Sequence, residues 1–148
     1  MTSPDPLAFK VLNEIGIIDQ LASHAFTQVL PRSMTVAQFS VLNHFVRLEH
    51  DWRTPAQLAS AFQVARPTMS NTLARLERAG LVEVSPDPDD GRGKRISITD
   101  KGRKMREDCI ERLGEPLARM QDQVPSELIA KLDPLLTQLR EILDQMRD

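Results

Sequence analysis

The residues best suited to chemistry lie in the run Arg66-Pro-Thr-Met-Ser-Asn-Thr-Leu-Ala-Arg75. With Met69, Leu73 and Leu76 turned inward at helical spacing, Arg66, Thr68, Ser70, Asn71, Thr72 and Arg75 face outward or sideways. Arginine pairs with guanine, asparagine with adenine, and serine or threonine bonds bases or phosphates. No acid appears until Glu77, which is unusual for a helix face that is merely solvated. A second group follows at Asp89-Asp-Gly-Arg-Gly-Lys-Arg95. Glycines there let the backbone approach a surface, and Arg92 has the reach to enter a narrow, negative minor groove. Asp90 is placed to orient Arg92 by a charge-assisted bond. Lys94 and Arg95 are expected to anchor on the phosphate backbone.

Catalytic chemistry finds no comparable support. The chain has no phosphate-cradling glycine loop, no nucleophile elbow and no metal-ligand motif. His24, His44 and His50 lack HxxxH-type spacing and have no cysteine nearby, so neither a metal nor a cofactor is expected. The single cysteine, Cys109, cannot form an internal disulfide and reads as a small buried hydrophobe on a helix. No leader pattern opens the chain and no run approaches the ~18 apolar residues of a membrane span. These features together predict a cytoplasmic protein and no enzyme.

The net charge of −2 conceals an asymmetry. From Thr54 to Arg106 ten Lys/Arg face six Asp/Glu, a balance of +4, while the remainder carries −6. A basic module on an acidic remainder is the footprint of a polyanion partner.

These side chains need elements to hold them. Thr35-Val-Ala-Gln38 and Thr54-Pro-Ala-Gln57 are capping boxes, each opening a helix. The first helix runs to about Leu48, with Val36, Phe39, Leu42 and Val46 on one stripe, and the second is short. Gln63 and Val64 make a turn, and the helix beginning at Arg66 or Pro67 ends at Ala79-Gly80. Leu81 to Ser85 reads as a strand, Pro86 to Gly93 as turn chemistry and Ile96-Ser-Ile98 as the returning strand. His50 to Arg53 is a connector that can add a small strand. Thr99 caps a long helix to about Gln123, kinked at Gly114 and Pro116. Residues 6 to 30 form a helix apolar on more than one face. Leu132, Leu135, Leu139, Ile142 and Met146 repeat at 3, 4, 3, 4, the spacing of a coiled-coil seam, and Pro134 is expected to bend or break that helix early. The two chain ends are expected to pack together and against a second copy.

The chain thus resembles the MarR family of bacterial winged-helix regulators. Asp90-x-Arg92, followed by Ile98-Thr99-x-x-Gly102, is similar to that family's wing signature, and Arg75-Leu-Glu-Arg-Ala-Gly-Leu-Val82 to its recognition-helix exit. The resemblance covers nearly the whole chain. It implies a mainly α fold with a small β-hairpin wing, a winged helix-turn-helix joined to a helical dimerisation domain. It implies residues 1–33 as an N-terminal dimerisation helix, 34–99 as the DNA-binding domain, and 100–148 as a long helix plus C-terminal dimerisation helices. The implied function is a homodimeric repressor on a pseudo-palindromic duplex, released by a small aromatic or organic acid. His24, Phe45, Trp52 and Met105 are the expected lining of the effector space. Two positions depart from the family pattern. Gln63 stands where the turn usually offers glycine, and Ala65 where a Ser/Thr cap is usual. The rival reading is a winged-helix module whose basic face docks an acidic protein instead of DNA.

Overall fold

The computed structural model describes residues 3–147. Seven helices and a two-stranded antiparallel hairpin follow in the order α1 (Leu7–Val29), α2 (Val36–Leu48), α3 (Pro55–Phe62), α4 (Arg66–Arg78), β1 (Val82–Asp87), β2 (Asp90–Ile98), α5 (Asp100–Arg112), α6 (Gly114–Gln123) and α7 (Ser126–Met146). They form two compact units, one ending at Arg112 and the other beginning at Leu113.

Both capping boxes close as the sequence predicts. Thr35 Oγ1 accepts from Gln38 N at 3.1 Å while Gln38 Oε1 accepts from Thr35 N at 3.0 Å, and Thr54 and Gln57 repeat the pair at 3.1 and 3.0 Å. α2 buries Phe39, Val41, Leu42 and Phe45, so its inner stripe lies over Val41 and Phe45, and Val46 is only half-buried. Around it gather Leu58 of α3, Leu73 and Leu76 of α4, Leu81, Ile96 and Cys109 of α5, all nearly inaccessible. α1 joins this core only at its end, where Phe26 meets Phe39 edge to face at 4.7 Å between centroids. Arg106 of α5 donates twice to Asn43 Oδ1 on α2, at 3.2 and 3.1 Å.

The long helix expected from Thr99 to about Gln123, kinked at Gly114 and Pro116, is interrupted at that place. α5 stops at Arg112 and α6 starts at Gly114, because a poor helix former and Pro116 within one turn remove both propensity and an amide donor. Pro134 has the opposite outcome: α7 runs unbroken through it. In the second unit α7 buries no residue, and α1 buries none in the first. Leu7, Leu21, Leu135 and Met146 are all at least 60% exposed. No described helix is long and apolar enough to cross a membrane.

Candidate nucleic-acid interface

α4 carries the first group of residues. Met69, Leu73 and Leu76 are buried, which leaves Arg66, Thr68, Ser70, Asn71 and Arg75 exposed on the same short helix. Thr72 lies half-buried between the two faces, its hydroxyl donating to Thr68 O at 3.2 Å. Thr68, Asn71 and Arg75 line one groove with Thr35 and Gln38. Ser70 lines another that continues to Lys94 and Ile96 of the hairpin. The reading face and the wing are therefore continuous.

The two ends of α4 are held very differently. At its exit Gly80 takes a left-handed φ of 75°, Gly80 N donates to Glu77 O at 2.9 Å, and Leu81 N donates to Leu76 O at 2.9 Å. This is a Schellman closure, with Leu76 and Leu81 both buried. Three residues after the wing reinforce it. Thr99 Oγ1 donates to Gly80 O at 2.7 Å and accepts from Gly102 N at 3.0 Å, and Lys101 Nζ donates to Ala79 O at 2.8 Å, a cation at the negative end of the helix. Gly102 lies so close that a Cβ there would sit 2.1 Å from Leu81 O. The sequence marked Thr99 as a helix cap and Gly102 as part of a signature. Their hold on α4 was not visible, because it joins positions 19 residues apart. In front of α4, Ala65 supplies no side-chain cap, and Gln63 adopts a left-handed φ of 51°.

The hairpin tip departs from its sequence reading. Strand pairing extends to Asp87↔Asp90, so the turn is confined to Pro88-Asp89 within the run from Pro86 to Gly93 that reads as turn chemistry. Pro86 pairs with Lys94, and Gly91, Arg92 and Gly93 are looped out of register between those two pairs. Arg92 thus stands exposed on a bulge, and Lys94 is exposed beside it. Asp90 does not hold the Arg92 guanidinium. Its carboxylate accepts from the Arg92 backbone N at 3.1 Å and so shapes the bulge itself.

Arg95, expected as a phosphate anchor, is folded back on the protein. Its guanidinium lies 3.8 Å from the centroid of the Trp52 ring, its Nη2 is 3.3 Å from Asp89 Oδ2, and its Nε is 3.3 Å from Asp87 Oδ1. The Nε contact is a charge contact without hydrogen-bond alignment. The connector before α3 joins the hairpin through one bridge, with Arg53 N donating to Ile96 O at 2.9 Å and Ile96 N to Arg53 O at 2.7 Å. Trp52 thereby belongs to the wing root. A signal for this was present: Arg95 pairs with Ser85, which makes Asp87 its diagonal cross-strand neighbour.

The four expected effector-lining residues are not brought together. Phe45 is inaccessible in the core, His24 is exposed on α1, and Trp52 lies under Arg95. Met105 lines a cavity of about 180 Å³ with Ser33, Met34, Gln38, Arg75 and Lys101, among others. Among the described residues, no three His, Cys, Asp or Glu side chains are grouped as a metal would require.

Comparison with known proteins agrees with this geometry. The sequence model of the MarR family matches residues 32–93. Among solved structures, a mutant of MarR from E. coli is 26% identical, with a TM-score of 0.75 over 93% of this chain and 98% of that one. The same mutant in complex with operator DNA, also 26% identical, gives a TM-score of 0.70 over 91% and 99%. BldR, a transcriptional regulator from Sulfolobus solfataricus, is 24% identical, with a TM-score of 0.75 over 94% and 96%. PcaV, a transcriptional regulator from Streptomyces coelicolor in complex with its natural ligand, is 19% identical, with a TM-score of 0.70 over 95% and 98%. The BldR and PcaV likenesses speak to fold alone. A wing built on a clamped reading helix, matched over residues 32–93 by the MarR family's sequence pattern and over nearly the whole chain by the fold of MarR from E. coli, makes the chain similar to the winged helix-turn-helix transcriptional regulators of that family.

Proposed function

We propose that the chain is a homodimeric regulator that binds a pseudo-palindromic DNA duplex sequence-specifically, and that it represses until a small aromatic or organic acid releases it. One observation carries this reading: an exposed, acid-free row of Arg66, Thr68, Ser70, Asn71 and Arg75 stands on a helix whose other side is buried, continuous with a wing tipped by Arg92. The operator complex of MarR, a relative at 26% identity, supports it. In this reading the α4 row contacts bases and phosphates in the major groove, Arg92 enters the minor groove and Lys94 anchors on the backbone. Asp90 shapes the bulge that carries Arg92.

Residues 1–33 and 100–148 are assigned to dimerisation. The bare apolar faces of α1 and α7 support that, since association removes such surface from water at about 25 cal/mol per Å². Two-fold symmetry then spaces half-sites by roughly 34 Å. For the effector we favour the cavity beside Met105, where a carboxylate meets Arg75 and competes with Ala79 O for Lys101. That competition would loosen the exit of the reading helix.

The test is duplex binding as a function of salt, using a site selected from a random pool. Affinity should fall by orders of magnitude between ~50 and ~200 mM salt, and Arg92→Ala should weaken binding about tenfold or more without unfolding the protein. No duplex affinity even at low salt would overturn the reading in favour of a protein-docking module.

A further inference from the structure

We propose that Arg95 and Trp52 are positioning residues for the wing, holding the Gly91–Gly93 bulge so that Arg92 is presented at a fixed reach. This rests on the reading above that Arg92 contacts DNA. Arg95 is the only wing cation folded back on the protein: its side chain is 22% exposed, stacked on the Trp52 ring and set between Asp87 and Asp89. Asp87 precedes the turn and Asp89 lies in it, and Asp87 Oδ1 also accepts from Asp89 N at 3.1 Å. The bulge therefore has two ties. Asp90 closes it from within, and Arg95 pins the preceding turn to a ring that sits on a separate segment. Trp52 in turn is fixed by its neighbour Arg53, which bridges Ile96 on the strand that leaves the bulge. A planar guanidinium is needed for this, because it can stack on a ring face while its edge meets carboxylates.

Such a latch acts through Arg92 and makes no DNA contact of its own, so its signature is epistasis. With the selected duplex, Trp52→Ala and Arg95→Lys should each weaken binding about tenfold, and the double variant by about as much as either alone. Arg95→Lys keeps the charge, so a phosphate contact would survive it. Trp52→Phe keeps a ring face and should bind within about twofold of wild type. In an Arg92→Ala background, Trp52→Ala should cost less than about twofold. Trp52 is the only tryptophan, so its fluorescence reports the stack directly and should change in Arg95→Lys without DNA. Wild-type affinity of Trp52→Ala, full affinity of Arg95→Lys, or an undiminished Trp52→Ala effect without Arg92 would each overturn the latch. If Arg92→Ala itself binds like wild type, the fault lies with the DNA contact and not with the latch.

Discussion

The turn before the reading helix and the turn after it use the same hydrogen bonds but different residues. After α3, Gln63 N donates to Ser60 O at 3.1 Å and Val64 N to Ala59 O at 3.0 Å, the same pattern that Gly80 and Leu81 make after α4. Yet the left-handed position is a glutamine in front and a glycine behind. A non-glycine residue there costs roughly 1–2 kcal/mol, offset here in part by Gln63 Nε2 donating to Ser60 O at 2.6 Å. Behind, Thr99 and Lys101 add two bonds to the closure and Gly102 N holds the Thr99 hydroxyl in place, whereas in front Ala65 adds none. The reading helix is therefore held from its C-terminal end and its buried side, while its N-terminal end is left loosely closed. In the DNA-binding reading this leaves the leading turn free to adjust to phosphate, at some expense in stability.

The contrast can be broken most severely from behind. Gly102→Ala puts a methyl group against Leu81 O and 2.9 Å from Ile98 Cγ1, and backbone cannot yield as a side-chain tip would. Denaturant unfolding should show a loss of about 3 kcal/mol, the upper part of the overpacking range. A loss under about 1 kcal/mol would mean that the junction between β2 and α5 is soft and that the clamp does not set the pose of α4.

In front, Ala65→Ser is expected to stabilise. Its backbone, with φ −64° and ψ 145°, already has the extended geometry of a helix cap, and a hydroxyl there gains about 1 kcal/mol. If the loose leading turn serves DNA binding, duplex affinity should not rise with stability and should fall modestly. A parallel rise in both would show that the missing cap has no functional side.

The smallest effect is pH. His44 packs beside Phe62, the last residue of α3, at 5.2 Å between ring centroids. Its pKa is lowered, first by desolvation and then by the positive neighbours His50, Arg47 and Arg53. The fold thus prefers the neutral imidazole. This contribution is complete above the unfolded value of 6.5 and is lost as the pH falls through the lower folded value. Melting temperature should drop between pH 7.5 and 5.5, and His44→Gln should flatten the drop. An unchanged slope in that variant would assign the acid sensitivity to other groups.

Much of the molecule was legible in the chain because the forces involved are local. Capping boxes act between residues three apart, and the inward Met69, Leu73 and Leu76 recur at helical spacing, so α2, α3 and α4 could be drawn from sequence. The candidate contacts of α4 follow from that same periodicity, since burying one face exposes the other. The local signals failed where two of them competed. Asp90-Gly91 is a turn signal, but the turn fell at Pro88-Asp89, where pairing of Asp87 with Asp90 and the contacts of Arg95 could both be satisfied. Gly114 with Pro116 ended a helix, whereas Pro134 alone did not.

Residue types and spacing by themselves determined that this chain presents a basic helix and a basic hairpin tip, because each is written within a dozen neighbouring residues. Only the tertiary structure decided how they are held. Arg95 turns from the solvent to Trp52, Asp90 binds a backbone amide in place of a guanidinium, and Thr99 reaches back to Gly80. The first and last of these contacts join residues that are remote in sequence, and neither is favourable until the buried side of α4 has packed and β2 has found its register. Their partners become visible only in the folded chain.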